Sequence, residues 1–253
     1  MLHLQNTKSS ALFVYILDSL EKEATGEAGK WWLHNSLLKL QHSLKDEFNI
    51  NLIVVVGEAG SVIKGLIKKY KINEVIWNRL YSQKSINRDS IIKKSLQKNN
   101  IDVQTFNGHL LNEPWEVQNN SGQYFKVFTP YWRRAYEVYK SKKYQVKDIS
   151  VIKSLKHQEK SQWNFLPKKN WYLKFEDHWE PGEEAALLKL KKYINEDIDY
   201  YKEGRDRPDL DKTSKLSPHL RFGEISPRKI VNQIAKSKKQ NISVTTFLSE
   251  IGW

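Results

Sequence analysis

The first hundred residues alternate between short apolar runs and longer segments with an apolar stripe. Ala11–Leu17 (ALFVYIL), Leu52–Val56 (LIVVV), Glu74–Trp77 (EVIW) and a run at Val103–Phe106 read as strands. They are apolar on both faces, as strands buried in a covered sheet are. Between them lie helical patterns. Leu33, Leu37, Leu40 and Leu44 fall on one face of a helix over Lys30–Lys45. Val62, Ile63, Leu66, Ile67 and Tyr70 mark a second helix, and Arg88–Lys98 a third. Strands separated by helices of this length predict an α/β fold with a parallel sheet covered on both faces. No Gly-x-Gly-x-x-Gly follows any strand, so the dinucleotide fingerprint is absent. Gly57–Ser61 (GEAGS) ends the second strand and reads as a turn before a helix.

From about residue 107 the pattern changes. The segment TPYWRRAYEVY predicts a helix with Thr129 as N-cap and Pro130 at the first position. Residues 140–178 are lysine-rich, irregular and dotted with tryptophan, as expected of a connector. EPGEEAALLKLKKYI then predicts a long helix with Pro181 in its first turn. Its buried stripe is Leu187, Leu190, Ile194 and Ile198. Every later element reads helical.

The stretch TSKLSPHLRFGEISPRK (Thr213–Lys229) concentrates hydroxyls and cations where helices begin. Thr213 and Ser214 can cap a helix. Ser217-Pro218 and Ser226-Pro227 each read as an N-cap followed by a first-position proline, and Gly223 ends the short helix between them. Such sites suit a phosphate. Three well-capped helices account for the same pattern.

The formal net charge is +13. That excess fits a polyanionic partner or a phosphate-rich cofactor, and a solvated lysine-rich surface is the alternative. The chain has no cysteine, which excludes disulfides, thiolate metal sites and thiol nucleophiles. No apolar run approaches the roughly 20 residues that span a bilayer, and MLHLQNTKSS lacks a signal-peptide core. A soluble, cytoplasmic protein with no metal site is expected.

KVFTPYWRRA, WEPGEEAALLKL, YYKEGRDRPDLDKTSKLSPHLRFGEISPRKI and FLSEIGW occur in the order and approximate spacing of the photolyase/cryptochrome family. The chain resembles most the bacterial cyclobutane pyrimidine dimer photolyases. The likeness covers nearly the whole chain and is strongest from Lys126 to Trp253. It implies a Rossmann-like α/β antenna domain over residues 1–115, a connector over 116–178, and the first part of an all-helical FAD-binding domain over 179–253. By the same resemblance the first strand of the family is missing and the helical domain is truncated.

The family wraps the FAD phosphates with a Thr-Ser-x-Leu-Ser segment. The matching residues are Thr213, Ser214, Lys215, Leu216 and Ser217, with Lys215 where arginine is common. Tyr201 matches a tyrosine that touches the cofactor. SEIGW matches a segment whose glutamate contacts the pyrimidine dimer and whose tryptophan stacks on it. Glu250 is thereby implied as catalytic and dimer-contacting, and Trp253 as dimer-binding, the two sharing a helix face. A carboxyl group in a dry pocket can donate a hydrogen bond or proton to a base radical anion. An indole packs on an extruded base. Ser249 replaces the asparagine common before the glutamate. Without the resemblance, Glu250 reads as a surface acid and Trp253 as core.

Folate-antenna members carry an Asn-Glu pair where Lys84 and Ser85 stand, so the second chromophore is unassigned. Trp31 and Trp32 read as core or interface. The implied activity is light-dependent splitting of pyrimidine dimers in DNA by electron transfer from reduced FAD. The alternatives are a cryptochrome-like sensor, or a non-catalytic remnant or half-protein that binds DNA or a complementing C-terminal half.

Overall fold

The computed structural model describes residues 1–18, 25–142, 152–157, 159 and 163–253. The chain forms two compact units, Met1–Phe106 with Lys147–Gly182, and Asn107–Val146 with Glu183–Trp253. Residues 116–178 are thus divided between the units. Those at 143–151, 158 and 160–162 lie outside the described residues.

The first unit carries α1 (Leu2–Thr7), β1 (Ser10–Ala11), β2 (Phe13–Leu17), α2 (Glu27–Phe48), β3 (Leu52–Val56), α3 (Ala59–Tyr70), β4 (Glu74–Asn78), α4 (Gln83–Gln97) and β5 (Asp102–Phe106). Every strand pairing among the described residues is parallel. β2 runs beside β3 with Phe13 opposite Leu52, and β4 beside β5 with Glu74 opposite Asp102. β1 pairs with a short strand at Lys153–Ser154, so part of the expected connector joins this unit. The ladders form three two-stranded pairs among the described residues.

Ala59, Ile92 and Leu96 form a core here, flanked by Ile16, Ile63, Ile67, Val75 and Val103. Helix α2 buries Trp31, Trp32, Leu33, Leu37 and Leu44, while Leu40 is exposed, a departure from the expected stripe. The two tryptophans are core. Trp31 meets Phe175 edge-on at 5.3 Å and Trp32 meets Trp179 at 5.7 Å. The tryptophan-dotted stretch therefore packs its rings on α2. The turn before α3 is closed by side chains of the protein itself. Its first N–H groups are taken by carboxylates: Ala59 N donates to Asp18 at 2.9 Å, and Gly60 N and Ser61 N donate to Glu58 at 2.8 and 2.6 Å.

The second unit carries α5 (Phe128–Ser141), α6 (Glu183–Glu196), α7 (Tyr201–Gly204), α8 (Ser217–Arg221), α9 (Pro227–Ser237) and α10 (Ile242–Ile251). Its core joins Leu190, Tyr193, Ile194, Ile198, Leu216, Ile225, Ile230, Ile234, Val244 and Phe247, with Leu187 and Tyr201 packed against it. Burying each such side chain contributes about 1.5–3 kcal/mol. A second cluster, Leu111, Tyr139 and Val231, packs with Trp132, Tyr136, Leu248 and Ile251.

The starts of α5 and α6 shift from their expected places. α5 begins at Phe128 with Val127 as N-cap and no side-chain cap, so Thr129 is already helical. Pro130 keeps its place in the first turn, where its missing N–H costs nothing. α6 begins at Glu183, because Gly182 holds φ at +116° and breaks the helix before Pro181 can join it. Among the described residues no helix is long and apolar enough to cross a membrane.

Candidate functional site

The site residues lie in the second unit, around α7, α10 and the loop from Arg205 to Leu216. α7 is held to α10 by Lys202 N, which donates to Ser243 Oγ at 3.2 Å. Asp199 ties the preceding turn to the start of α10. It accepts from Lys239 Nζ and from Asn241 Nδ2, each at 2.6 Å, and Lys239 holds its carboxyl below the usual range. Asn241 in turn caps α10 by accepting from Val244 N at 2.9 Å.

Tyr201 lies half-buried on this frame. Its ring meets Phe247 at 5.0 Å and Tyr193 at 6.5 Å, both edge-on. Burial pushes its hydroxyl pKa up. Tyr193 beside it is shifted up for the same reason, and its buried hydroxyl has no hydrogen-bond partner.

Arg205, one turn beyond Tyr201, was not singled out by the sequence. Its guanidinium lies 5.7 Å from the Tyr201 ring centroid and donates from Nη1 to Glu250 Oε1 at 2.5 Å. Glu250 pushes the guanidinium pKa up. Arg205 therefore brings Tyr201 and Glu250 together. The expected dry pocket is not what Glu250 occupies: its side chain is partly exposed and engaged in an ion pair. The spacing of Tyr201 and Arg205, four residues apart on a helical turn, was the available signal.

Trp253 follows α10 and its C-cap Gly252, whose backbone is still helical, and its N–H donates to Glu250 O at 3.3 Å. The indole is 77% exposed and lies parallel to the Phe128 ring, 4.1 Å away at 6°. Trp132 lies 6.5 Å beyond Phe128, also at 6°.

The Thr213–Ser217 segment is not a set of caps. Leu216 is the N-cap of α8 without a side-chain bond, and Ser217 is its first residue. Ser214 Oγ accepts from Leu216 N at 3.4 Å. Lys215 holds φ at +51°, which turns the chain sharply, and its ammonium donates to Asp211 at 2.6 Å. Thr213, Lys215 and Ser217 are exposed, while Leu216 is 1% exposed and belongs to the core. Of Leu216, only the backbone is left to meet a ligand. An open groove of about 380 Å³ runs beside them, lined by Gly204, Arg205, Arg207, Asp211, Thr213 and Lys215, among others. Arg207 is forked onto Asp209 at 2.8 and 2.6 Å. Three cations and a hydroxyl thus face an open groove, each cation paired with a carboxylate, so a phosphate would compete with Glu250, Asp209 and Asp211 for them. Among the described residues no group of three or more His, Asp or Glu side chains could hold a metal ion.

The DNA photolyase family model matches residues 1–149. The deoxyribodipyrimidine photo-lyase of Agrobacterium fabrum is 36% identical over 90% of this chain and 49% of its own length. This chain belongs to the DNA photolyase family. Cryptochrome-1 of Arabidopsis thaliana is 30% identical over 96% of this chain and 37% of its own length. The crystal structure of a bacterial class III photolyase from Agrobacterium tumefaciens superimposes on all of it with a TM-score of 0.87 at 32% identity, covering 53% of that protein. The chain thus spans about half the length of these photolyase relatives. The α/β first unit and the helical second unit are the family's fold.

Proposed function

We propose that this chain serves light-driven repair of pyrimidine dimers in DNA, as the names of its photolyase relatives suggest. The observation that carries the reading is the convergence of Glu250, Arg205 and Tyr201 beside the groove at Thr213 and Lys215, with an exposed indole three residues further along the chain. Thr213, Ser214, Lys215, Ser217 and the Leu216 backbone hold the FAD phosphates, and Tyr201 closes the same side. When bound, reduced FAD supplies the photoexcited electron. Glu250 hydrogen-bonds a base of the dimer, and Arg205 holds the carboxylate in place behind it. Trp253 stacks on the extruded base. Arg205 also places positive charge near an anion developing on the dimer.

The test is a dimer-containing oligonucleotide illuminated with the FAD-reconstituted protein. Light-dependent loss of the dimer is expected. Glu250→Ala lowers the splitting yield without a matching loss of affinity, because its effect falls on the reactive state. Trp253→Ala weakens binding to dimer-containing DNA by about 1–3 kcal/mol. Lys215→Ala releases flavin and leaves DNA affinity unchanged. Equal loss of flavin in all three would mean that these residues hold the fold, and would overturn the separate roles. A cryptochrome-like sensor is the second reading, favoured by the Arabidopsis relative. It predicts flavin photoreduction with no dimer splitting.

A further inference from the structure

The Trp253 side chain is mostly exposed, at 77%. The backbone N–H of the residue donates to Glu250 O at 3.3 Å, in the turn that follows α10. Two features place its ring. Phe128, Trp132 and Tyr136 sit four residues apart along one face of α5, with successive ring distances of 6.5 and 5.2 Å. Phe128 covers one face of the indole at 4.1 Å and 6°. Gly252 passes directly against Trp132, where a Cβ would fall 2.2 Å from the indole carbons. Only a residue without a side chain lets the backbone come this close, and that approach delivers the next residue onto Phe128.

We propose that Phe128 is a positioning residue that covers one face of the Trp253 indole and presents the other as the stacking platform for an extruded pyrimidine base. The inference rests on the reading of Trp253 as the base contact. An indole already seated on a parallel ring loses little freedom when a base arrives, so Phe128 acts on affinity through Trp253 and touches no substrate. A flat heterocycle out of its stack is the ligand that such a one-sided π-surface takes.

The experiment measures equilibrium affinity for an oligonucleotide with one cyclobutane pyrimidine dimer and for its undamaged counterpart. It compares the FAD-reconstituted protein with Phe128→Leu, Phe128→Tyr, Trp253→Ala and the Phe128→Leu/Trp253→Ala double variant. Trp253→Ala loses about 5- to 150-fold of the preference for the dimer, the range of a lost base–aromatic stack. Phe128→Leu loses about 2- to 12-fold, the range of an aromatic pair, and Phe128→Tyr restores it. In the Trp253→Ala background, Phe128→Leu has no further effect, which a general packing role would not give. An unchanged preference in Phe128→Leu, or an equal loss in both backgrounds, overturns the positioning role while leaving the reading of Trp253 intact. A preference that survives Trp253→Ala overturns that reading, and this inference with it.

Discussion

Gly252 is buried where α10 meets the ring of Trp132, and an added methyl group has nowhere to go. Gly252→Ala should therefore destabilise the protein by about 1–3 kcal/mol, the cost of overpacking, as read from denaturant unfolding. The same change should displace the Trp253 indole and alter its fluorescence. An unchanged midpoint would mean that Trp132 yields freely. At this scale the sequence disclosed what motifs carry. The segments that hold Glu250, Trp253, Tyr201 and the Thr213–Ser217 run carried the resemblance to the family, because their order and spacing are distinctive. Arg205 was half legible, one helical turn from Tyr201. Gly252 and Phe128 were not, since their importance lies in a contact between segments more than a hundred residues apart. The left-handed φ of Lys215 was likewise hidden, because lysine carries no local signal for it.

Two Ser-Pro steps that look alike in the sequence behave differently as elements. Ser226 caps α9 by accepting from Lys229 N at 3.2 Å, with Pro227 at the first position. Ser217 is exposed inside the first turn of α8 and caps nothing. Ser226→Ala should cost about 1 kcal/mol of stability, the usual worth of an N-cap. Ser217→Ala should leave the unfolding midpoint in place and lower flavin retention instead. A matched loss of stability in both would remove the distinction. The long elements were legible from their periods: four strands and the helices between them lie where alternating runs and stripes put them. Their ends were less so. Thr129 gave way to Val127 as N-cap because the chain enters α5 two residues earlier, and Leu40 lies exposed while Trp31 and Trp32 of the same helix are buried.

At the scale of the whole molecule, both units carry histidines that folding keeps neutral. Burial lowers the pKa of His34 in the first unit and of His109 in the second, with the Arg221 charge adding to the shift of His109. His34 Nδ1 accepts from Phe165 N at 3.4 Å, which a proton on that nitrogen would prevent. Folded values below the ordinary 6.5 mean that the unfolded chain binds protons first. Stability is complete above that pH and is lost as pH falls below it. The unfolding midpoint should drop between about pH 7.5 and about pH 5.5, and His34→Asn, which keeps an acceptor but cannot titrate, should flatten part of the drop. The charge of +13 gives a second whole-molecule test. If the protein docks on DNA through its cations, log affinity falls linearly with log salt, by about 0.9 for each phosphate neutralised. The Trp253 indole carries no charge and releases no counterion. Trp253→Ala should lower affinity for dimer-containing DNA by the same factor at every salt concentration and leave the slope unchanged. A shallower slope would show that losing the indole shifts the phosphate contacts as well, so that Trp253 orients the whole molecule on the duplex instead of reading the base alone.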